Sequence, residues 1–224
     1  MKLKKHAQGI VNFQTWYACR PPKKGKIQWV EGRSAMELAK YITTALPQVP
    51  KEIEESLGKL LSSDAVFDWD AEYVTALPET GEGRNHDAIL YNDDIVVTIE
   101  AKADETLGGL VKEEIQKASV NKLRRISKLL DYLFRDGFKE YQDLRYQLMT
   151  ASVGTLLEAE KKRLDTAVLL VVVFKTDKTD AEKLAANHKD IDVFLKATNS
   201  YDENGFKVIP NNTNVKLYFK EIII

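Results

Sequence analysis

The chain has 224 residues, 44% of them hydrophobic, a formal net charge of -1 and one cysteine, Cys19. That length suits one well-developed core rather than two full domains. The charge balance excludes a global basic field for nucleic acid, so any such contact must use a local patch, and a lone cysteine excludes an intrachain disulfide.

The start, MKLKKHAQGIVNFQTW, is basic but lacks an apolar stretch of signal-peptide length. Residues 1–33 hold RPPKKGK and read as an irregular or short-strand extension. SAMELAKYITTAL (34–46) carries a helical apolar stripe, with Ser34 as N-cap and Glu37 at N3 of a capping box. KEIEESLGKLLSS (51–63) predicts a second amphipathic helix, and VFDWDAEYVTAL (66–77) alternates as a strand does. After the loop ETGEGRN, two apolar runs flank a polar turn in HDAILYNDDIVVTIEAK (86–102) and predict a hairpin. Helical tracts follow at 111–137 and 141–163, the second containing Gly154. AVLLVVVF (167–174) is a buried central strand, too short to span a bilayer. Residues 179–199 are helical, and NGFKVIP and VKLYFKEIII close the chain as strands. The order predicts an α/β fold, a mixed sheet flanked by helices. It forms a single domain over 1–224, with a helical insertion over 105–140. The expected setting is cytoplasmic, with no membrane partner.

The hairpin carries charge where a buried strand should not. With Asn92-Asp93 as a two-residue turn, Asp87 falls opposite Thr98, and Glu100 is its diagonal neighbour. Asp87, Ile89, Tyr91, Val96, Thr98, Glu100 and Lys102 then share one face, and Ala88, Leu90, Val97, Ile99 and Ala101 the other; a four-residue loop keeps this parity. Two converging carboxylates make a hard oxygen site suited to Mg²⁺. A lysine beside them positions or deprotonates a water and offsets phosphate charge. The bland alternative is a strand end whose Glu–Lys pair faces solvent.

Asp87 followed by Glu100-Ala101-Lys102 resembles the PD-(D/E)XK nuclease superfamily. The resemblance implies a restriction-endonuclease-like core of helix, three strands, helix and strand, filled here by 34–46, 66–77, 87–91, 95–103, 141–163 and 167–174. The insertion then lies between the third core strand and the second core helix. The implied activity is Mg²⁺-dependent hydrolysis of phosphodiester bonds in nucleic acid, DNA before RNA, with Mn²⁺ able to substitute. Asp87, Glu100 and the Ala101 carbonyl would bind the metal, and Lys102 would position the attacking water. Glu37 matches a glutamate that the family often adds from its first core helix, and Gln147 a glutamine from the second. Two departures stand out: His86 replaces the motif proline, and Ala151 stands where a Q-x-x-x-Y pair would need tyrosine.

Glu37 also has its capping-box role, and Gln147 reads equally as an ordinary polar helix residue. Asp104 and Glu105 begin the next loop or bind a second metal. Lys122, Arg124, Arg125 and Lys128 form a basic helical face that would lie along phosphates, or a solvated outer face. The insertion at 105–140 offers a homodimer contact of the kind that paired strand cuts need. The competing function is a catalytically silent nucleic-acid-binding or assembly module on the same fold, and a third is a small-molecule hydrolase using the same metal chemistry.

Overall fold

A computed structural model of the chain describes residues 1–79, 81–134 and 141–224. Thr80 of the loop before the hairpin, and residues 135–140 of the predicted 111–137 helix and of the insertion, lie outside the described residues.

Among the described residues, eight strands form one mixed sheet: β1 (Lys2–Leu3), β2 (Val66–Thr75), β3 (Arg84–Tyr91), β4 (Val96–Lys102), β5 (Thr166–Val173), β6 (Tyr201–Glu203), β7 (Phe206–Ile209) and β8 (Lys216–Ile223). Their order is β1-β2-β3-β4-β5-β8-β7-β6. β2, β3 and β4 are an antiparallel meander, while β4, β5 and β8 run parallel. β5 is buried from Ala167 to Val173, as a parallel strand covered on both faces requires.

Helices cover the two faces. On one side lie α1 (Phe13–Cys19), α2 (Ser34–Ala45) and α3 (Lys51–Leu57). Trp16, Leu38, Ile42 and Ile53 pack there against Ala88, Leu90, Val97 and Ile99. On the other side lie α4 (Val111–Gln116), α5 (Val120–Leu133), α6 (Tyr146–Lys162) and α7 (Ala181–Ala197), where Leu129, Leu148, Val153 and Phe194 pack against Ile89, Val96 and Leu169. α6 is the crossover between β4 and β5 and is buried over most of its length, which explains its run of small and apolar residues, MTASVGTL.

Several boundaries differ from the sequence reading. α1 arises within the supposedly irregular 1–33, because Asn12 accepts from the Thr15 N–H at 2.8 Å and Thr15 returns the bond. Met1, Leu3, Ile10 and Trp16 join the core, so this segment is built into the fold. Ser34 is the first helical residue of α2 rather than its cap; Arg33 takes the cap position, without a side-chain bond. α3 stops at Gly58 instead of running to 63. The 111–137 tract is two helices, α4 and α5, broken before Ser119, which caps α5 by accepting from the Lys122 N–H at 3.3 Å.

The hairpin loop is four residues long, with Tyr91 paired to Val96 and Ala88 to Ile99. That slides Asp87 from opposite Thr98 to the position across from Glu100. No described helix is long and apolar enough to cross a membrane.

Candidate active site

The β3–β4 ladder ends at the Ala88–Ile99 pair. Beyond it the strands part, and the Ala101 N–H would lack a partner. The Asp87 carboxylate fills the gap, its Oδ2 accepting from Ala101 N at 2.7 Å. The simple alternation that put Asp87 on the face of Ile89 therefore does not hold. Its carboxylate lies at the strand edge, one residue along β4 from Glu100.

A kink in β2 goes with this. Ala71–Ala88 and Tyr73–His86 are paired, while Glu72 between them has φ of 47°. A non-glycine residue in that region is uncommon and marks a locally strained strand. Trp69 and Ala71 face the α2 side, whereas Tyr73 packs on the α6 side. The Glu72 carboxylate accepts from Asn85 Nδ2 at 2.6 Å. Its pKa is pushed up to about 8, by burial first and the Asp87 charge second.

Glu100 points toward α6 and is 1% exposed. Lys102 Nζ donates to its Oε1 at 2.6 Å, Gln147 Nε2 of α6 donates to the same oxygen, and Arg84 Nη2 donates to Oε2. Burial raises the pKa of Asp87, with the nearby charges of Lys102 and Arg84 opposing it. Burial lowers the Lys102 ammonium, with Asp87 opposing. The Glu105 charge also acts on Asp87; its carboxylate is held by Ser34 Oγ at 2.7 Å and Ala103 N at 3.0 Å.

The site residues read from the sequence therefore separate into groups. Asp87, Glu100, Ala101, Lys102 and Gln147 come together. Among the described residues Glu37 makes no hydrogen bond to them: in place of the expected capping box its Oε1 accepts from Gly32 N at 2.8 Å, in the turn before α2, and from Lys40 Nζ at 3.3 Å within the helix. Asp104 lies 3.7 Å from Arg33. The basic face of α5 splits. Arg125 is buried and gives its guanidinium to carbonyls of Pro78 at 3.1 Å and Glu82 at 2.7 Å. Lys122 pairs with Glu114, Lys128 with Glu79 at 2.6 Å, and Arg124 is exposed.

Sequence reasoning missed Arg84 and Glu72. Arg84 had a signal, an arginine opening a strand three residues before the acid. Glu72 had none, because its place depends on a kink.

His86, on β3 beside Asp87, is fully buried with neither ring nitrogen hydrogen-bonded, and burial holds its pKa well below the ordinary value. It lies against Gly154 of α6.

Arg84, Asn85 and Gln147 also line a cavity of about 700 Å³, whose other walls include Lys23, Lys122, Arg125 and Tyr146. The buried carboxylates thus lie behind a partly basic cleft.

Among the described residues no three His, Cys, Asp or Glu side chains converge as a metal-holding group. Asp87, Glu100 and the Ala101 carbonyl are all hard oxygen donors. Such donors suit Mg²⁺ better than a soft or borderline ion, and an ion there would displace the Arg84, Lys102 or Gln147 bonds that fill the Glu100 oxygens. The raised pKa values of Asp87 and Glu72 fit the same chemistry, since crowded buried carboxylates gain from a cation.

A family model described as a domain of unknown function, DUF6946, matches residues 10–223. No curated protein and no solved structure matches the chain.

Proposed function

We propose that this chain, which belongs to the DUF6946 family, is a Mg²⁺-dependent nuclease that hydrolyses phosphodiester bonds of nucleic acid, DNA before RNA. The observation that carries the reading is the junction of β3 and β4. There Asp87 bonds the backbone of Ala101, between Glu100 and Lys102, and Lys102 and Gln147 both converge on Glu100. The succession α2, β2, β3, β4, α6, β5, with an antiparallel meander and a parallel fourth strand, supports a restriction-endonuclease-like core.

Asp87, Glu100 and the Ala101 carbonyl would hold the ion, which supplies Lewis acidity and a more acidic bound water. Lys102 orients the attacking water from its place against Glu100; burial lowers its pKa, with Asp87 opposing. Gln147 fixes the Glu100 carboxylate from α6. In the cleft where the polyanion approaches, Lys23 is paired with Glu82 and Lys122 with Glu114, which leaves the Arg84 and Arg125 guanidinium groups as the positive charge of its wall.

A silent binding module is the second reading. It draws on the ion pairs of Glu100 with Arg84 and Lys102, which neutralise the carboxylate without any metal. Incubation of plasmid and single-stranded DNA with Mg²⁺ or Mn²⁺ separates the two. The nuclease reading expects metal-dependent cleavage that falls at least about hundredfold in Asp87→Ala and in Lys102→Ala. Binding without cleavage under both ions would favour the module, and full cleavage by both variants would remove the site assignment.

A further inference from the structure

Glu100 is bonded by more cations than one carboxylate needs. Lys102 and Arg84 both pair with it. The two cations differ in what lies beyond them. Lys102 is 5% exposed and is not among the residues lining the cleft. Arg84 lines the cleft. Its Nε is buried and has no hydrogen-bond partner, an unmet donor on a group with five. Arg84 is therefore incompletely satisfied where it sits and opens onto a space that a substrate can enter.

A divalent ion on Asp87 and Glu100 would stand beside the Arg84 guanidinium inside a buried site. Like charges at that spacing repel strongly where water is scarce. Lys102 is buried away from the cleft, whereas Arg84 lines it. A phosphodiester in the cleft offers the fork-shaped guanidinium a matching anion.

Building on the nuclease reading, we propose that Arg84 is a catalytic residue that exchanges partners. Without metal it closes the Glu100 carboxylate. With metal and substrate it turns into the cleft and binds the phosphodiester being cleaved. Arg84 thereby couples metal binding to substrate binding, and a free ion meets a site that arginine already occupies.

The test measures Mn²⁺ affinity by calorimetry, with and without a phosphorothioate DNA oligonucleotide, for wild type and Arg84→Met. Wild type is expected to bind Mn²⁺ about tenfold more tightly with the oligonucleotide present, and the oligonucleotide more tightly by the same factor with Mn²⁺. Arg84→Met, which keeps the apolar stem, is expected to bind Mn²⁺ alone about tenfold more tightly than wild type and the oligonucleotide about tenfold more weakly. Unchanged or weaker Mn²⁺ binding by a folded Arg84→Met overturns the exchange and leaves the nuclease reading standing. Absence of coupling in wild type overturns it without recourse to any variant. Absence of Mn²⁺ binding by either protein overturns both readings.

Discussion

Asp87 accepts a hydrogen bond from the backbone N–H of Ala101 at 2.7 Å, at the point where β3 and β4 separate. The side chain thus has a structural acceptor role and a charge, and substitution can divide them. Asp87→Asn keeps an oxygen for the N–H and loses the charge; Asp87→Ala loses both. Urea unfolding is expected to place Asp87→Ala about 1–2 kcal/mol below Asp87→Asn, the cost of an orphaned buried N–H. Neither variant should cleave.

Glu72 sets a pH dependence of stability. Its carboxyl titrates near 8 in the fold against an ordinary 4.5. Between those values the folded state holds more protons than the unfolded chain, so stability falls as pH rises. Asp87, also raised, adds to the same trend. The Glu72 contribution to stability is expected to decline from about pH 4.5 to about pH 8, while buried His86, held below its ordinary pKa, acts in the opposite sense over the acid part of that range; Glu72→Gln should remove the Glu72 decline in denaturation curves compared with wild type. Added Mg²⁺ should flatten it in wild type as well.

Gly154 is held to glycine by His86. A Cβ there would stand 2.8 Å from His86 Nε2 and 3.1 Å from Cε1. Gly154→Ala is expected to cost about 1–3 kcal/mol through overpacking. Adding His86→Ala removes the obstacle, so the double variant should lose less than the sum of the singles. Additive losses in thermal melts would show that the ring is not the obstacle.

Arg125 ties Pro78 and Glu82 to α5 through their carbonyls. Arg125→Met is expected to lose about 1–3 kcal/mol. Amide hydrogen exchange should quicken at Glu79, Gly81 and Glu82 while the central strands stay protected. Unchanged exchange there would contradict this role.

Much of this architecture is legible in the sequence because it follows from periodicity. The eight-residue apolar run at 167–174, the alternating hairpin and the stripe of 34–46 each specify an element and its buried side. Lys102 and Glu100 could be placed on one shared face of the hairpin for the same reason. What escaped depends on departures from periodicity. The Glu72 kink takes Asp87 out of the alternating pattern. A four-residue loop moves it to the position across from Glu100, a shift that parity alone does not reveal. α1 rests on a local Asn12–Thr15 cap in an otherwise irregular stretch. Arg125 shows the limit of reading charge: on a helical wheel it belongs to a basic face, yet in the fold it is buried against carbonyls.

A divalent ion shared by Asp87 and Glu100 is the centre of the proposed site. Crystals soaked in Mn²⁺ and measured at the manganese edge test this directly. The expected result is one anomalous peak within about 2.0–2.4 Å of a carboxylate oxygen from each residue, with Arg84 drawn away from Glu100. A map with no peak there, and with Glu100 still paired to Arg84 and Lys102, would contradict it.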